Sequence, residues 1–361
     1  MKLQVTQENL NKALSAVARI ANSRQTLPIL SNVMVKTVDN RLSVAATNLD
    51  IAITEYIGAK IKTPGSITLP ARLMQDFIGS LPSGVIDLEL TDNKLHIEAG
   101  QYHSTINGTP ADEYPVMPGL SDGTVLTLPA GEFKKGVGQV LVAASSDEAR
   151  PILTGVFIHN RDGFLYAAAT DSYRLAEKRL GKTKEEVSLL VPATALHELL
   201  RVMPETATDL SLEYDDQQVR FTIGEVELVA RLIDGQYPDY RKLIPEKFAV
   251  SAKLNRDEFI RVTKVASLFS RETAGSVTLK VAKDELSITS IASQLGENTS
   301  SATAVVIGEG EVTLNSRYIL DGLGMFSGTE VTFSFNGKLE PCVIRSNESD
   351  DYTHLIMPLR S

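Results

Sequence analysis

The run Tyr166–Glu177, YAAATDSYRLAE, sets an Asp, a Ser, a Tyr and an Arg side by side at the end of an apolar stretch. Ser172 beside Asp171 has the outline of a nucleophile, but a hydroxyl needs a general base to activate it, and none is identifiable nearby. The histidines, His96, His103, His159, His197 and His354, are scattered along the chain. There is no phosphate-cradling P-loop and no paired-histidine zinc motif, and a single cysteine, Cys342, excludes a site of paired thiolates. Gly322 and Gly324 form a G-x-G pair without a third glycine or a preceding strand. We therefore expect no catalytic residue, no metal and no cofactor. An earlier run, Ser43–Thr54, SVAATNLDIAIT, has the same outline, with Thr47 in the place of Thr170. A segment used twice is a structural feature, and Asp171 reads as a turn former at a strand end.

That reuse extends along the chain. TLPILSNVMV from Thr26 resembles ARPILTGVFI from Ala149, and Leu10 stands to Phe133 as Pro28 stands to Pro151. LPARLMQDFIGSLPSG from Leu69 resembles VPATALHELLRVMPET from Val191. A fainter third copy matches LNRDEFIRVTKVASLF from Leu254 and LNSRYILDGLGMFSGT from Leu314 to the middle one. Ordered matches at a nearly constant interval indicate three units of about 120 residues. A chain of 361 residues is long enough for two or three domains. The boundaries are expected near Met117–Gly123 and Leu243–Val250, giving domains 1–120, 121–247 and 248–361.

Each unit reads alike. A strand precedes an amphipathic helix; in the first, Leu10, Leu14, Val17 and Ile20 recur at helical spacing. Short strands follow, RLSVAATNLDIAIT with YIGAKIKTPGSITLP as its expected hairpin partner, broken at Pro64-Gly65. A shorter helix places Leu73, Phe77, Ile78 and Leu81 toward the core, and a hairpin turns at Asp92-Asn93. Two helices and many strands per unit make an α+β fold, three tandem repeats of a two-helix, sheet-backed domain.

The formal net charge of −9 argues against a nucleic-acid partner until the charges are located. The first helix of each unit is basic: Lys12, Arg19 and Arg24 against Glu8; Lys134 and Lys135 against Glu132; Arg256, Arg261, Lys264 and Arg271 against Asp257 and Glu258. The shorter helices balance Arg72 with Asp76, Arg201 with Glu198 and Arg317 with Asp321. Acid thus gathers on strands and loops. Lys and Arg are good helix formers, yet the same bias on three equivalent helices suits a basic surface facing phosphates. No apolar run is long enough to span a membrane, and the polar MKLQVTQENL start lacks a signal-peptide core. A reducing cytoplasm fits the lone cysteine.

With three repeats, basic helices and ATDSYRL in the middle unit, the chain resembles the bacterial sliding clamps, the beta subunits of DNA polymerase III. The marks are SRQTLPILSNV (Ser23–Val33), RPILTGV (Arg150–Val156), ATDSYRLA (Ala169–Ala176), GQYPDYRKLIP (Gly235–Pro245), LNSRYILD (Leu314–Asp321) and HLIMPLRS (His354–Ser361), spread over the whole length. The resemblance implies a head-to-tail homodimer that closes a six-domain ring around duplex DNA, with helices lining the hole and sheets outside. Weak, sequence-independent phosphate contacts then suffice, because a closed ring cannot leave sideways. Arg24 and Arg72 match family positions that approach DNA; Lys12, Lys135, Arg201 and Lys264 join them on helical bias. Asp147 falls where the family has a polar DNA contact. The strands Gln101–Gly108 and Asn298–Ile307 are edge candidates expected to meet across the ring interface.

The resemblance further implies an apolar pocket for peptides of the form Gln-Leu-x-Leu-Phe, borne by the polymerase III alpha subunit, the clamp-loader delta subunit, other polymerases and repair proteins. Carried over, it comprises Leu153, Thr170, Ser172, Tyr173, Arg174, Leu175, Pro238, Lys242 and Leu243, with Asn315, Tyr318, Met357, Pro358, Leu359 and Arg360 from the third unit. Here Ser172-Tyr173 stands where relatives often have Gly-His, Lys242 where an Arg is common, Ala274 where some have an aromatic residue, and Ser361 where the family ends apolar. Such a clamp is an accessory protein, not an enzyme. The alternatives are a clamp-like peptide scaffold that does not serve replication, or a nucleotide-handling enzyme.

Overall fold

The structure, a computed structural model, describes residues 1–21, 27–115, 120, 123–292 and 296–359. Six α-helices lie among them: α1 Gln7–Ala21, α2 Ala71–Ser80, α3 Ala130–Leu141, α4 Ala193–Val202, α5 Arg256–Leu268 and α6 Ser316–Gly324. Each long helix follows a strand, as the repeat predicts. Leu10, Leu14, Val17 and Ile20 are all buried on α1, the stripe their spacing requires. In α5 the side chain of Asn255 accepts from the Glu258 amide at 3.0 Å, capping one of the donors a first turn leaves free. The core face of α2 differs from expectation. Met74 and Ile78 are buried, Phe77 is half-buried and Leu73 is 51% exposed. Met74 and Ile78 are one turn apart, and Leu81 closes the stripe just beyond the helix, so Leu73 falls on the outer side.

The chain folds into two compact units. The first comprises Met1–Gly131 and Thr194–Leu232, the second Glu132–Ala193 and Ile233–Ser361. The first unit holds a five-stranded sheet in the order Lys60–Thr63, Lys2–Thr6, Val85–Thr91, Lys94–Ala99 and Tyr102–Asn107. Its eight-stranded sheet joins Thr124–Pro129, Asp209–Tyr214, Gln218–Ile223 and Val226–Arg231 to Ile51–Gly58, Arg41–Thr47, Asn32–Val38 and Ser66–Pro70. The second unit carries one twelve-stranded sheet, in which Arg174–Lys182 pairs with Tyr352–Ile356 and so joins middle-repeat strands to third-repeat strands.

The expected hairpin in the first repeat is redrawn. Arg41–Thr47 pairs with Ile51–Gly58, so the turn is Asn48–Asp50, inside the run expected to be one hairpin arm, while Pro64-Gly65 breaks the other run between Lys60–Thr63 and Ser66–Pro70 as expected. Leu49 takes a positive φ of 78° there, while Lys60–Thr63 leaves for the five-stranded sheet. The Asp92-Asn93 hairpin forms as expected, both residues having positive φ, the geometry of the tight turn that matches strand twist. Of the two edge candidates, Tyr102–Asn107 lies at the rim of its sheet. Gly296–Ile307 is paired by halves: residues 296–303 pair with Glu285–Ala292 and residues 304–307 with Val250–Asn255, so each half keeps one side without a strand partner among the described residues.

Candidate functional site

The turn at Thr170–Arg174 is built from side-chain hydrogen bonds. Thr170 Oγ1 donates to the Arg174 carbonyl at 2.6 Å and accepts from the Ser172 amide at 3.1 Å. Asp171 Oδ1 accepts from the amides of Tyr173 and Arg174, each at 2.9 Å. Ser172 sits at a φ of 79°. Asp171 is therefore the turn former that the repeat implied, with its carboxylate occupied in closing the loop. Ser172 Oγ faces a guanidinium, accepting from Arg150 at 3.1 Å, so no base is placed to activate it.

Arg174 fastens this turn to the third repeat. Its Nε donates to Asp171 Oδ2 at 3.0 Å, a terminal nitrogen donates to Asp321 Oδ2 at 2.6 Å, and the guanidinium lies 4.6 Å above the Tyr318 ring. Asp321 and Arg150 were absent from the expected site. Arg150 could have been found, since it opens the RPIL run; Asp321 is 147 residues from its partner and gives no local signal.

The floor beneath the turn is apolar. Leu175, Leu355, Tyr237 and Tyr240 form a buried cluster, with Ile152, Ile244 and Met357 packed against it. Leu153 is half-buried, Leu243 is 47% exposed, and Pro238 and Lys242 are exposed on the same segment as Tyr237 and Tyr240. The terminal strand does not fray within the described residues. Met357 N donates to the Tyr173 carbonyl at 2.8 Å and Leu359 N to the Thr313 carbonyl at 2.9 Å, leaving Met357, Pro358 and Leu359 half-buried. Arg360 and Ser361 lie outside the described residues. Asn315 is held by a bond from its Nδ2 to the Ala274 carbonyl at 3.1 Å, with Ala274 at a φ of 52°.

The wall carrying Pro238, Lys242 and Leu243 is anchored from behind. Tyr240 Oη donates to Glu177 Oε2 at 2.6 Å, and Arg241 Nε donates to the same oxygen at 2.7 Å. With the tyrosine proton committed to the carboxylate, His159 Nε2, at 2.8 Å, is the donor to Tyr240 Oη. Burial pushes the His159 pKa below the ordinary imidazole value, against a bond to the Asn160 carbonyl that raises it. This trio of His, Tyr and Glu is thus a structural brace.

The basic residues expected to face DNA are placed unequally. Arg72 is highly exposed on α2, 3.9 Å from Asp76. Lys135 is exposed on α3 and reaches Ser327 Oγ at 3.3 Å; Lys264 is exposed on α5 and enters no ion pair among the described residues. Lys12 on α1 pairs at 3.2 Å with Glu55, a carboxylate only 2% exposed. Arg201 is tied into the fold: it donates to the carbonyls of Ser15 at 3.1 Å and Ala16 at 2.6 Å, and its Nε bonds Glu198 at 2.8 Å. Arg24 lies outside the described residues. Asp147, the acidic departure, has its charge met by Arg150 Nε at 3.0 Å; the Ala149 amide and Arg150 hold its carboxyl below the usual range. Among the described residues, no group of three His, Cys, Asp or Glu side chains could hold a metal ion, and no helix is long and apolar enough to cross a membrane.

Comparison with known proteins agrees over the whole chain. Residues 1–118, 127–239 and 241–360 match, in order, the N-terminal, central and C-terminal domains of the DNA polymerase III beta subunit. A beta sliding clamp of Bacillus subtilis is 31% identical over 381 aligned positions, covering 100% of both chains. One from Synechococcus elongatus is 32% identical, covering 100% of this chain and 99% of its own. The crystal structure of the Bacillus subtilis DNA polymerase sliding clamp superposes with a TM-score of 0.96 at 29% identity, covering 100% of this chain and 99% of that one. The fold is that of a three-domain sliding clamp. The chain belongs to the DNA polymerase III beta subunit family, whose members are non-catalytic sliding clamps of the replicative polymerase.

Proposed function

We propose that this chain acts as two copies closed head to tail into a ring, with domains 1–120, 121–247 and 248–361 repeated around it, and that duplex DNA passes through without regard to sequence. Arg24, Arg72, Lys135 and Lys264 face the phosphates; Lys12 contributes while paired to Glu55, and Arg201 contributes least, its donors being tied into the fold. Retention comes from topology, so contacts that are weak and sensitive to salt allow sliding. The ring works in the cytoplasm as the processivity factor of DNA polymerase III.

The groove around Thr170–Arg174 takes the linear peptide of the alpha subunit, the clamp-loader delta subunit, and other polymerases and repair proteins. Leu153, Leu175, Pro238, Leu243 and Met357 receive its apolar side chains, and Thr170, Ser172, Tyr173, Arg174, Lys242, Asn315, Tyr318, Pro358, Leu359 and Arg360 form the rim. A few buried anchors carry most of the affinity of such a contact. The observation that supports the reading best is the docked terminal strand, which brings Met357 against the same apolar floor as Leu175 and Leu355. Electron microscopy of the purified protein tests the ring: six-lobed closed particles are expected, and three-lobed crescents at high concentration would overturn closure. Retention on nicked circular DNA, lost on linearisation, tests encirclement.

A further inference from the structure

Beside the Thr47 turn, and wholly within the first unit, lies a cavity of about 110 Å³. Its origin is a pair of shortened side chains. Leu175 pairs with Leu355 beside the second turn, and both are buried in the apolar floor. The corresponding strands beside the first turn pair Ala52 with Val229, and both line the cavity together with Ala45 and Ala46. Smaller side chains at such a pair leave a void where the surroundings do not close in. Tyr114 holds one wall in place, its Oη donating to the Asn32 carbonyl at 3.1 Å and accepting from the Thr47 amide at 3.2 Å. Arg220 and Glu227 supply the charged lining. Arg220 Nη1 donates to Glu213 at 3.1 Å, but its Nε is buried with no hydrogen-bond partner among the described residues, and Glu227 Oε1 stands off at 3.6 Å.

We infer that this cavity is a binding site for a small neutral ring carrying one hydroxyl, of which phenol is the simplest. An apolar cavity of about 150 Å³ takes up benzene, so this one has room for a single small ring and none for a run of residues. Ala45, Ala46, Ala52 and Val229 receive the ring. An oxygen between Arg220 Nε and Glu227 Oε1 accepts from the guanidinium and gives its own proton to the carboxylate, so one hydroxyl satisfies both. An anionic ligand would meet Glu213 and Glu227, and a cationic one the guanidinium, so charge of either sign is disfavoured. The site is separate from the peptide groove and does not depend on it.

The test is methyl NMR of the full protein, labelled at alanine and titrated with phenol and with toluene, which has the same ring and nearly the same shape but no hydroxyl. Phenol is expected to shift the methyls of Ala45, Ala46 and Ala52 saturably, with a dissociation constant of about 1 mM. It should bind about tenfold more tightly than toluene, the difference made by a hydrogen bond to a charged group. Arg220→Met should bring phenol down to the level of toluene while toluene still binds, which shows that the cavity persists. Ala52→Leu, which copies the residue at Leu175, should abolish binding of both. No saturable shift at these methyls in the native protein up to about 10 mM phenol would overturn the inference. So would shifts confined to Ala168 and Ala169 beside the peptide groove, or phenol binding no more tightly than toluene. The native protein alone decides these outcomes, whether or not either variant folds.

Discussion

The chain builds one turn twice and uses it differently. Around Thr47, as around Thr170, the threonine hydroxyl donates to a carbonyl four residues on, here Ile51 at 3.0 Å, and accepts from an amide two residues on, here Leu49 at 3.1 Å. Asn48 Oδ1 accepts from the Asp50 and Ile51 amides just as Asp171 accepts from those of Tyr173 and Arg174. Even the adjoining strand repeats: Arg231 N donates to the Asp50 carbonyl at 2.9 Å, and Met357 N to the Tyr173 carbonyl at 2.8 Å. What differs is the side chains the turn presents. Of Leu49-Asp50-Ile51-Ala52, Ala52 lines a small cavity with Ala45, Ala46, Arg220, Glu227 and Val229, whereas Ser172-Tyr173-Arg174-Leu175 has the Arg174–Asp321 bond, the Tyr318 ring and an apolar floor. Side-chain-to-backbone hydrogen bonds make the turn, and the residues placed on it set the two copies apart.

The largest expected effect comes from the strand beside each turn. His354 pairs with Ala176 where the first copy pairs Leu228 with Ile53, and both side chains are fully buried. Burial pushes the His354 pKa down to about 3, with the Arg174 charge acting in the same direction. Below about pH 6.5 the unfolded chain takes up a proton that the folded chain refuses, so stability falls as pH drops from 6.5 to 3. The slope from this group is about 1.4 kcal/mol per pH unit in that window. Denaturant titrations of His354→Leu, which copies the first repeat, should show a flatter pH profile than the native protein.

Thr170→Val and Thr47→Val should each cost about 1–3 kcal/mol, since each removes two side-chain hydrogen bonds from its turn. Equal losses in thermal unfolding, with peptide binding lost only for Thr170→Val, would sharpen the comparison. Arg174→Ile, again copying the first turn, should weaken peptide binding by about tenfold or more, because Asp171 and Asp321 lose the charge between them. Smallest is Tyr173→Asp: stability should shift by no more than about 0.5 kcal/mol at so exposed a position, while peptide affinity falls a few-fold.

Periodicity and repetition made much of the fold legible in advance. The α1 stripe, the Asp92-Asn93 turn and the role of Asp171 all rest on contacts within a few residues. The α2 face was misread because Leu73 and Met74 both fit a helical period, and packing chooses Met74. The pairing of residues 304–307 with Val250–Asn255 was not legible, because that partner lies far back in sequence. Helical bias put Lys12 and Arg201 among the residues expected to face DNA, but a helical pattern cannot show Glu55 or the carbonyls of Ser15 and Ala16. The pocket residues were carried over from the family resemblance; Asp321, which fixes Arg174, becomes visible only when the middle and third repeats are joined in one sheet.

The most direct test of the account is calorimetric titration of the native protein with a Gln-Leu-Ser-Leu-Phe peptide, repeated on Arg174→Ile and Asp50→Ala. The account predicts one peptide per chain, weakened by about tenfold or more in Arg174→Ile and unaffected in Asp50→Ala. Two peptides per chain, or binding that survives Arg174→Ile unchanged, would contradict the claim that the residues on the second turn, and not the turn itself, make the site.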